Sequence, residues 1–361
     1  MTADAVGGVW TYALELCSAL AAHDVNVLLA TMGPRPAVSQ RKAASALTNV
    51  ELIESEFALE WMPDPWQEVD AAGEWLLEKA RHFNADLVHL NGYAHVSVPW
   101  SRPVVSVAHS CVSTWWQGVH GGEPPKEWNE YRRRVRHGLT HAERVVAPTH
   151  AFASKIATSY QLTRTIDVIH NGRAPRAVKD GGTRSKIVLA CGRAWDAAKN
   201  FSTLDAAIAD LPWPAYLAGG TQSPDGHTWA PRNLECLGAL PESELSDWRA
   251  RAEIFVHPAL YEPFGLAVLE AAMSGCCLAL SDLPSLRELW DGAAEFFDPR
   301  STESVRAAIR RLIANPQHRA TLRAAARERA EQLSSASMAA HYMHLYRELS
   351  NTRRSAHMAV A

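Results

Sequence analysis

Short apolar runs alternate with amphipathic stretches along the whole chain. That alternation constrains its fold more than any other feature. Residues 25–31 (VNVLLAT), 86–90 (DLVHL) and 103–108 (PVVSVA) are apolar runs of the kind that form strands buried on both faces. Residues 9–22, 67–83 and 127–141 place apolar residues at helical spacing between and after them. Short strands at 144–147 and 166–169 close this first block, and Thr149 is placed to cap the helix between them. A polar stretch at 173–185 (RAPRAVKDGGTRS) reads as an interdomain linker. The alternation then restarts, with strands at 186–191, 215–218, 234–237, 254–257, 276–281 and 294–297. Helices are expected at 201–210, 243–252 and 266–274, and a nearly all-helical tail at 302–350.

Strands and helices in this order form parallel sheets covered by helices on both faces. The expected fold class is α/β, with two Rossmann-like, doubly wound domains facing across a cleft and a C-terminal helix crossing back. The expected boundaries are 1–172, 173–336 and 337–361. Ligands of such sheets bind at the carboxyl ends of the strands. The start is anomalous. Only Met1 to Val6 precede Gly7-Gly8, where a full first strand belongs, so that strand is either very short or missing. The reading favours a missing one, which would expose apolar surface worth about 1.5–3 kcal/mol per large side chain.

Composition removes whole classes. At 47% hydrophobic and 21% charged residues the chain is too apolar for a disordered protein. A net charge of -3 excludes a strongly electrostatic nucleic-acid binder. No apolar run reaches the length of a membrane span. The six cysteines are scattered without a CxxC pair and are expected as buried free thiols, which with the absence of a basic leader points to a cytoplasmic protein. There is no GxGxxG, no GxxxxGK[ST] and no DxD, so neither a dinucleotide fingerprint, a P-loop nor a metal-held nucleotide is supported. His137 and His141 stand four apart on a helix, but nothing completes a zinc site, and a surface pair is expected.

Two segments carry the chemistry. Residues 259–270 (ALYEPFGLAVLE) place Glu262 on a loop and Glu270 inside a helix that starts near Leu266. The free N–H groups of that helix start form an anion site. Glu270 falls in an otherwise apolar stretch, where a carboxylate needs a partner. Residues 192–200 (GRAWDAAKN) follow a buried strand and bring Arg193 and Lys199 to its carboxyl end. A forked guanidinium with an ammonium suits a diphosphate better than two loose surface cations.

With these residues in view, the chain resembles the retaining GT-B glycosyltransferases of family 4. The Glu262-to-Glu270 segment resembles their E-x7-E signature, and 192–200 is similar to their GR-x5-K element. Gly7-Gly8, His109 after PVVSVA, and Asn171-Gly172 match further elements. The resemblance implies a sugar transfer from a nucleotide-sugar donor to a hydroxyl of a saccharide or lipid-linked saccharide, with no cofactor and no metal. It implies that Arg193 and Lys199 hold the donor diphosphate, that Glu270 accepts from the ribose hydroxyls, and that Glu262 binds the donor sugar. Backbone N–H groups around Phe264, Gly265 and Leu266 would contact phosphate and sugar. Gly8 would admit the phosphate closely, Gly219 would shape the pocket floor, and His109 would lie at the reacting centre. Two other readings share the architecture, a nucleotide-sugar 2-epimerase and a non-catalytic nucleotide-sugar-binding protein. The combined motifs favour transfer.

Of 13 tryptophans, Trp115 and Trp116 stand apart, in a Gly-rich polar stretch read as a loop. Aromatic faces pack on sugar C–H surfaces, so this loop is assigned to the acceptor. Arg132, Arg133, Arg134 and Arg136 form a basic cluster that could touch anionic lipid at a membrane periphery. Glu127, Glu130 and a narrow apolar face favour a solvated helix instead.

Overall fold

The computed structural model describes residues 1–175, 184–223 and 226–358, and side chains up to residue 351. The chain divides into two compact units. The first comprises residues 1–116, 122–174 and 335–361, and the second 117–121 and 175–334. The expected linker at 173–185 lies for the most part outside the described residues.

The first unit contains strands β1 (Thr2–Asp4), β2 (Val27–Met32), β3 (Val50–Glu54), β4 (Val88–Leu90), β5 (Val104–Val107), β6 (Arg144–Ala147) and β7 (Asp167–Val168). All their pairings are parallel, in two ladders ordered β1-β2-β3 and β4-β5-β6-β7. The ladders abut at β1 and β4. There the Asn91 side chain donates to the Thr2 carbonyl (2.6 Å), and its backbone N–H donates to Thr2 Oγ1 (2.9 Å). The spatial run is therefore β3-β2-β1-β4-β5-β6-β7, the doubly wound order whose switch point lies between β1 and β4. The first strand is thus present but three residues long, and it occupies the centre of the sheet with Thr2 and Ala3 buried. This corrects the expectation of a missing strand. A three-residue ladder shows almost no periodicity in sequence, and its partners hold it.

Helices α1 (Gly8–Leu20), α2 (Val38–Ser45), α3 (Trp66–His82), α5 (Asn129–His141) and α6 (His150–Tyr160) accompany this sheet, and α4 (Val112–Val119) begins in this unit and ends in residues grouped with the second. Thr149 caps α6 by accepting from the Phe152 N–H (3.1 Å). The C-terminal helix Ser335–Met358 also belongs to this unit. Its Met338, Ala339, Tyr342 and Leu345 share a core with Trp10, Ala13 and Leu16 of α1. The pair α2 and β3 was not anticipated. α2 is polar and short, and β3 is broken by charged residues at Glu51 and Glu54 instead of forming an apolar run.

The second unit repeats the plan. Its strands are β8 (Ser185–Cys191), β9 (Ala215–Ala218), β10 (Glu235–Gly238), β11 (Ala252–His257), β12 (Cys277–Ser281) and β13 (Ala294–Phe297). They form one parallel sheet ordered β10-β9-β8-β11-β12-β13, with its switch point between β8 and β11. Helices α7 (Phe201–Ala207), α8 (Glu242–Arg251), α9 (Leu266–Met273), α10 (Pro284–Trp290), α11 (Thr302–Ala314) and α12 (Pro316–Gln332) flank it. Each sheet face has its own core. One gathers Phe255, Leu269 and Trp290, the other Phe201, Val256 and Ile309. No described helix is long and apolar enough to cross a membrane.

Five cysteines are buried, but Cys236 on β10 is exposed. It stands on the edge strand of the sheet, where one side lacks a covering neighbour. The basic helix α5 also departs from expectation. It buries Tyr131, Val135, Gly138 and Leu139, a full apolar stripe. Three of its four arginines are engaged as well: Arg132 with Glu123, Arg133 with Glu130, and Arg134 with Glu130 and Asp70.

Candidate active site

In the second unit the expected residues gather at the carboxyl edge of the sheet. Three strands end there in close-packed glycines. The Gly192 N–H donates to the Ala218 carbonyl (3.0 Å), and the Gly219 N–H to the Gly238 carbonyl (2.8 Å). A side chain at Gly219 (φ +152°) would start 1.8 Å from the Gly192 carbonyl oxygen, so only glycine fits. This close approach leaves bare backbone around the strand ends.

The loop after β8 is held by its own side chains. Asp196 accepts from the Ala198 N–H (3.0 Å) and from Arg193 (2.9 Å), and the Arg193 guanidinium lies over the Trp195 ring at 5.2 Å. Asn200, in a left-handed conformation, donates to the carbonyls of Pro258 (2.9 Å) and Pro299 (2.8 Å). It thereby ties the loops after β11 and β13 to the loop after β8. Lys199 donates to Glu262 Oε2 at 2.8 Å, and His257 Nε2 meets the same oxygen at 3.0 Å. Burial pushes the Glu262 carboxyl up, but Lys199 and His257 outweigh it and hold it well below the usual carboxylate range. Burial, the largest influence, and nearby Lys199 push the His257 imidazole down against the pull of Glu262.

Gly265 (φ +91°) ends the loop as the N-cap of α9, and no side chain caps that helix. Its first-turn N–H groups therefore face the loop that carries Glu262. Phe264 is buried beneath this turn and Leu266 is half-buried. Glu270, one turn further, accepts from Arg249 at 2.8 Å. Arg249 is only 2% exposed and also donates to the exposed Glu242, so α8 and α9 are joined through one buried guanidinium.

The structure thus joins Lys199 to Glu262 and separates Glu262 from Glu270, which answer to different cations. Arg193 faces Asp196 rather than Glu262. Sequence reasoning missed His257 and Arg249. The first had a faint signal, a polar residue ending an apolar strand five positions before Glu262. The second had none, because its partner lies 21 positions away on another helix.

In the first unit, Gly8 opens α1 after a turn in which the Val6 N–H donates to Asp4 (2.9 Å). His109 follows β5. Its Nε2 lies 2.8 Å from Asn91 Oδ1, and its ring meets Tyr12 edge-on at 4.4 Å. Because the Asn91 amide nitrogen is committed to Thr2, its oxygen can only accept, so His109 carries its hydrogen on Nε2 and presents Nδ1 as an acceptor. Burial pushes the His109 imidazole down to about 3, which keeps it neutral. Asn91 Oδ1 also lies 3.2 Å from His89 Nε2, and His89 Nδ1 meets the Tyr346 hydroxyl at 2.6 Å. The C-terminal helix is linked in this way to the end of β4.

Trp115 and Trp116 sit on α4 and not on a loop. The polar, Gly-rich composition of the stretch hid a helix that buries Ser113 and Thr114. The two indoles are half-buried, with ring centres 6.3 Å apart. His137 and His141 stack at 4.0 Å on α5, and no group of metal-ligating side chains occurs among the described residues.

Comparison with known proteins bears on the family and the fold. Residues 6–175 match the model of Glycosyltransferase Family 4, and residues 228–329 that of Glycosyl transferases group 1. Over 101 residues the chain is 32% identical to the O-antigen chain mannosyltransferase B of Escherichia coli, a match covering 28% of this chain and 26% of the relative's length. Sucrose-phosphate synthase from Thermosynechococcus elongatus superposes with a TM-score of 0.79 at 20% identity, over 97% of this chain and 96% of that one. Anabaena Alr3699/HepE in complex with UDP and glucose gives 0.71 at 16% identity, over 94% and 95%. These likenesses establish the two-domain GT-B fold.

Proposed function

This chain belongs to the group 1 glycosyltransferases, and from that premise we propose that it moves a sugar from a nucleotide-sugar donor to a hydroxyl of a saccharide or lipid-linked saccharide. The observation that carries the reading is the cluster of Lys199, Glu262 and His257 beside the uncapped start of α9, at the glycine-lined edge of a doubly wound sheet.

The mechanism follows from charge. Breaking a glycosyl–phosphate bond develops positive charge on the sugar and negative charge on the diphosphate. Lys199, Arg193 and the N–H groups of Gly265 and Leu266 form a preorganised positive lining for the second of these. Glu262, ionised by its two partners, accepts from the donor-sugar hydroxyls, and Arg249 fixes Glu270 toward the ribose. Lys199 is paired with Glu262 and not with a free anion, so donor binding proceeds with the ammonium shared between carboxylate and phosphate. In the first unit His109, neutral and bonded through Nε2, offers its Nδ1 lone pair. Trp115 and Trp116 offer aromatic faces to the acceptor.

We propose retention of configuration by front-face substitution, in which the leaving phosphate takes the acceptor proton. Glu262 is engaged by Lys199 and His257, which argues against its serving as the nucleophile of a double displacement. No metal takes part, since two cations and a helix start already supply the positive lining. The working location is the cytoplasm, and the ion pairs of Arg132, Arg133 and Arg134 on α5 support a solvated helix over a membrane contact.

A panel of nucleotide sugars tests the reading through hydrolysis and thermal stabilisation. The Anabaena relative holds UDP and glucose, and the Escherichia coli relative is a mannosyltransferase. UDP-glucose and an activated mannose therefore head the panel. Stabilisation by none of its members would refute the proposal. Proton NMR of the product reads the anomeric outcome, and unchanged turnover in EDTA reads the metal.

A further inference from the structure

Glu60 is a carboxylate that the chemistry above does not use. It lies in the loop between β3 and α3, half-buried, and among the described residues it makes no ion pair. Its Oε2 accepts from the N–H groups of Tyr93 (3.2 Å) and Ala94 (2.8 Å), in the loop that follows β4. These two bonds fix the carboxylate against one side of the turn at residues 91–94. The same turn holds His109 through Asn91, and its Tyr93 hydroxyl donates to the Ser110 carbonyl (2.8 Å). Glu60 and His109 are thus both fastened to one four-residue turn at the carboxyl edge of the sheet.

The second oxygen, Oε1, accepts no hydrogen bond among the described residues. A side chain at Gly92 would start 3.7 Å from Oε1 and 3.8 Å from Oε2, and would lie across the carboxylate. Glycine leaves that approach open. Burial pushes the Glu60 carboxyl up, against the pull of the two N–H groups, and no nearby cation offsets it. A half-buried carboxylate with one oxygen doubly bonded by N–H groups and the other without a hydrogen-bond partner is an incomplete site. What completes it is a donor that needs no counter-charge. Hydroxyl groups of a neutral saccharide supply such donors, and a carboxylate accepts from two adjacent hydroxyls.

We propose that Glu60, approachable past Gly92 and fixed to the same turn as His109, binds the hydroxyls of the neutral saccharide acceptor. The proposal rests on the glycosyltransferase reading, and its test is built to fail separately from that reading.

The test is saturation-transfer NMR on the full chain with D-glucose, D-mannose and maltose, and with D-glucosamine as the cationic alternative. Thermal shifts with UDP, GDP and ADP are run in parallel on the wild type. Saturable transfer to at least one neutral sugar is expected. It should weaken at least fivefold in Glu60→Gln, and likewise in Gly92→Val, which covers the carboxylate while leaving it charged. The control is Glu68→Gln, since Glu68 pins the Ala58 N–H of the same loop (2.8 Å) with an exposed carboxylate. It should bind like the wild type. A nucleotide shift with no saturable neutral sugar overturns the Glu60 site alone. So does equal binding in Glu60→Gln and wild type, equal loss in Glu68→Gln, or transfer to glucosamine only. Absence of any nucleotide shift overturns the glycosyltransferase reading itself.

Discussion

Replacing Lys199 by methionine removes a charge and keeps most of the side-chain volume. Lys199 and Glu262 are 20% and 13% exposed, with 2.8 Å between nitrogen and oxygen. At an effective dielectric of 20 the pair attraction is about 6 kcal/mol before desolvation is counted. Desolvation cancels much of that, but the cost of leaving one buried partner alone is typically about 3–5 kcal/mol. His257 still hydrogen-bonds Glu262 in the variant, so the expected loss in the second unit is about 2–4 kcal/mol at pH 7.5.

The loss depends on pH with a definite sign. In the wild type the folded carboxyl is held below its ordinary value of 4.5. Its stabilising contribution is complete above that value and disappears as pH falls toward the depressed one. In Lys199→Met the carboxyl rises and takes up a proton earlier, which relieves the unpaired charge. The gap between the two proteins therefore narrows from pH 7.5 to pH 4.5. Urea unfolding read by hydrogen exchange in peptides covering β8 and β11 follows the second unit alone. A gap below 1 kcal/mol at pH 7.5, or one that stays constant or widens at pH 4.5, would refute the reasoning.

Three further outcomes follow from the geometry. Gly219→Ala places a methyl 1.8 Å from the Gly192 carbonyl oxygen, so the ends of β8 and β9 must separate. Stability should fall by about 2 kcal/mol or more, with lost donor stabilisation in a thermal-shift assay. Thr149→Ala removes the α6 cap and should cost about 1 kcal/mol in urea, leaving nucleotide binding unaltered. Brief iodoacetamide treatment of the native protein should label Cys236 alone. The other thiols are buried, with Cys276 and Cys277 pushed up to about 11 and about 12 by burial. Peptide mass mapping that finds Cys276 or Cys277 labelled at a comparable rate would contradict this core.

Much of the fold was legible because buried parallel strands and amphipathic helices write their environment into consecutive residues. KIVLAC, PVVSVA and LAVLEAAM each declare a period that few other structures share. Where the period was short or masked, reading failed. β1 has three residues, β3 carries glutamates, and α4 hides two indoles inside a run of serines, glycines and histidines. The grouping of Lys199, Glu262 and Gly265 was legible for another reason. Each follows or precedes a strand end, and the carboxyl ends of one parallel sheet must lie together.

By itself, then, the sequence determined which segments become strands and helices, that the chain builds two parallel sheets, and which charged residues stand at strand ends. These follow from hydrophobic periodicity and glycine placement, which are local properties. Only the tertiary structure decided the partners: His257 on Glu262, Arg249 on Glu270, Asn91 between His109 and Thr2, and Glu60 on the turn beside His109. Such pairings depend on the lateral order and register of strands from distant parts of the chain. That order is set by packing and loop closure over tens of residues, and no local pattern records it.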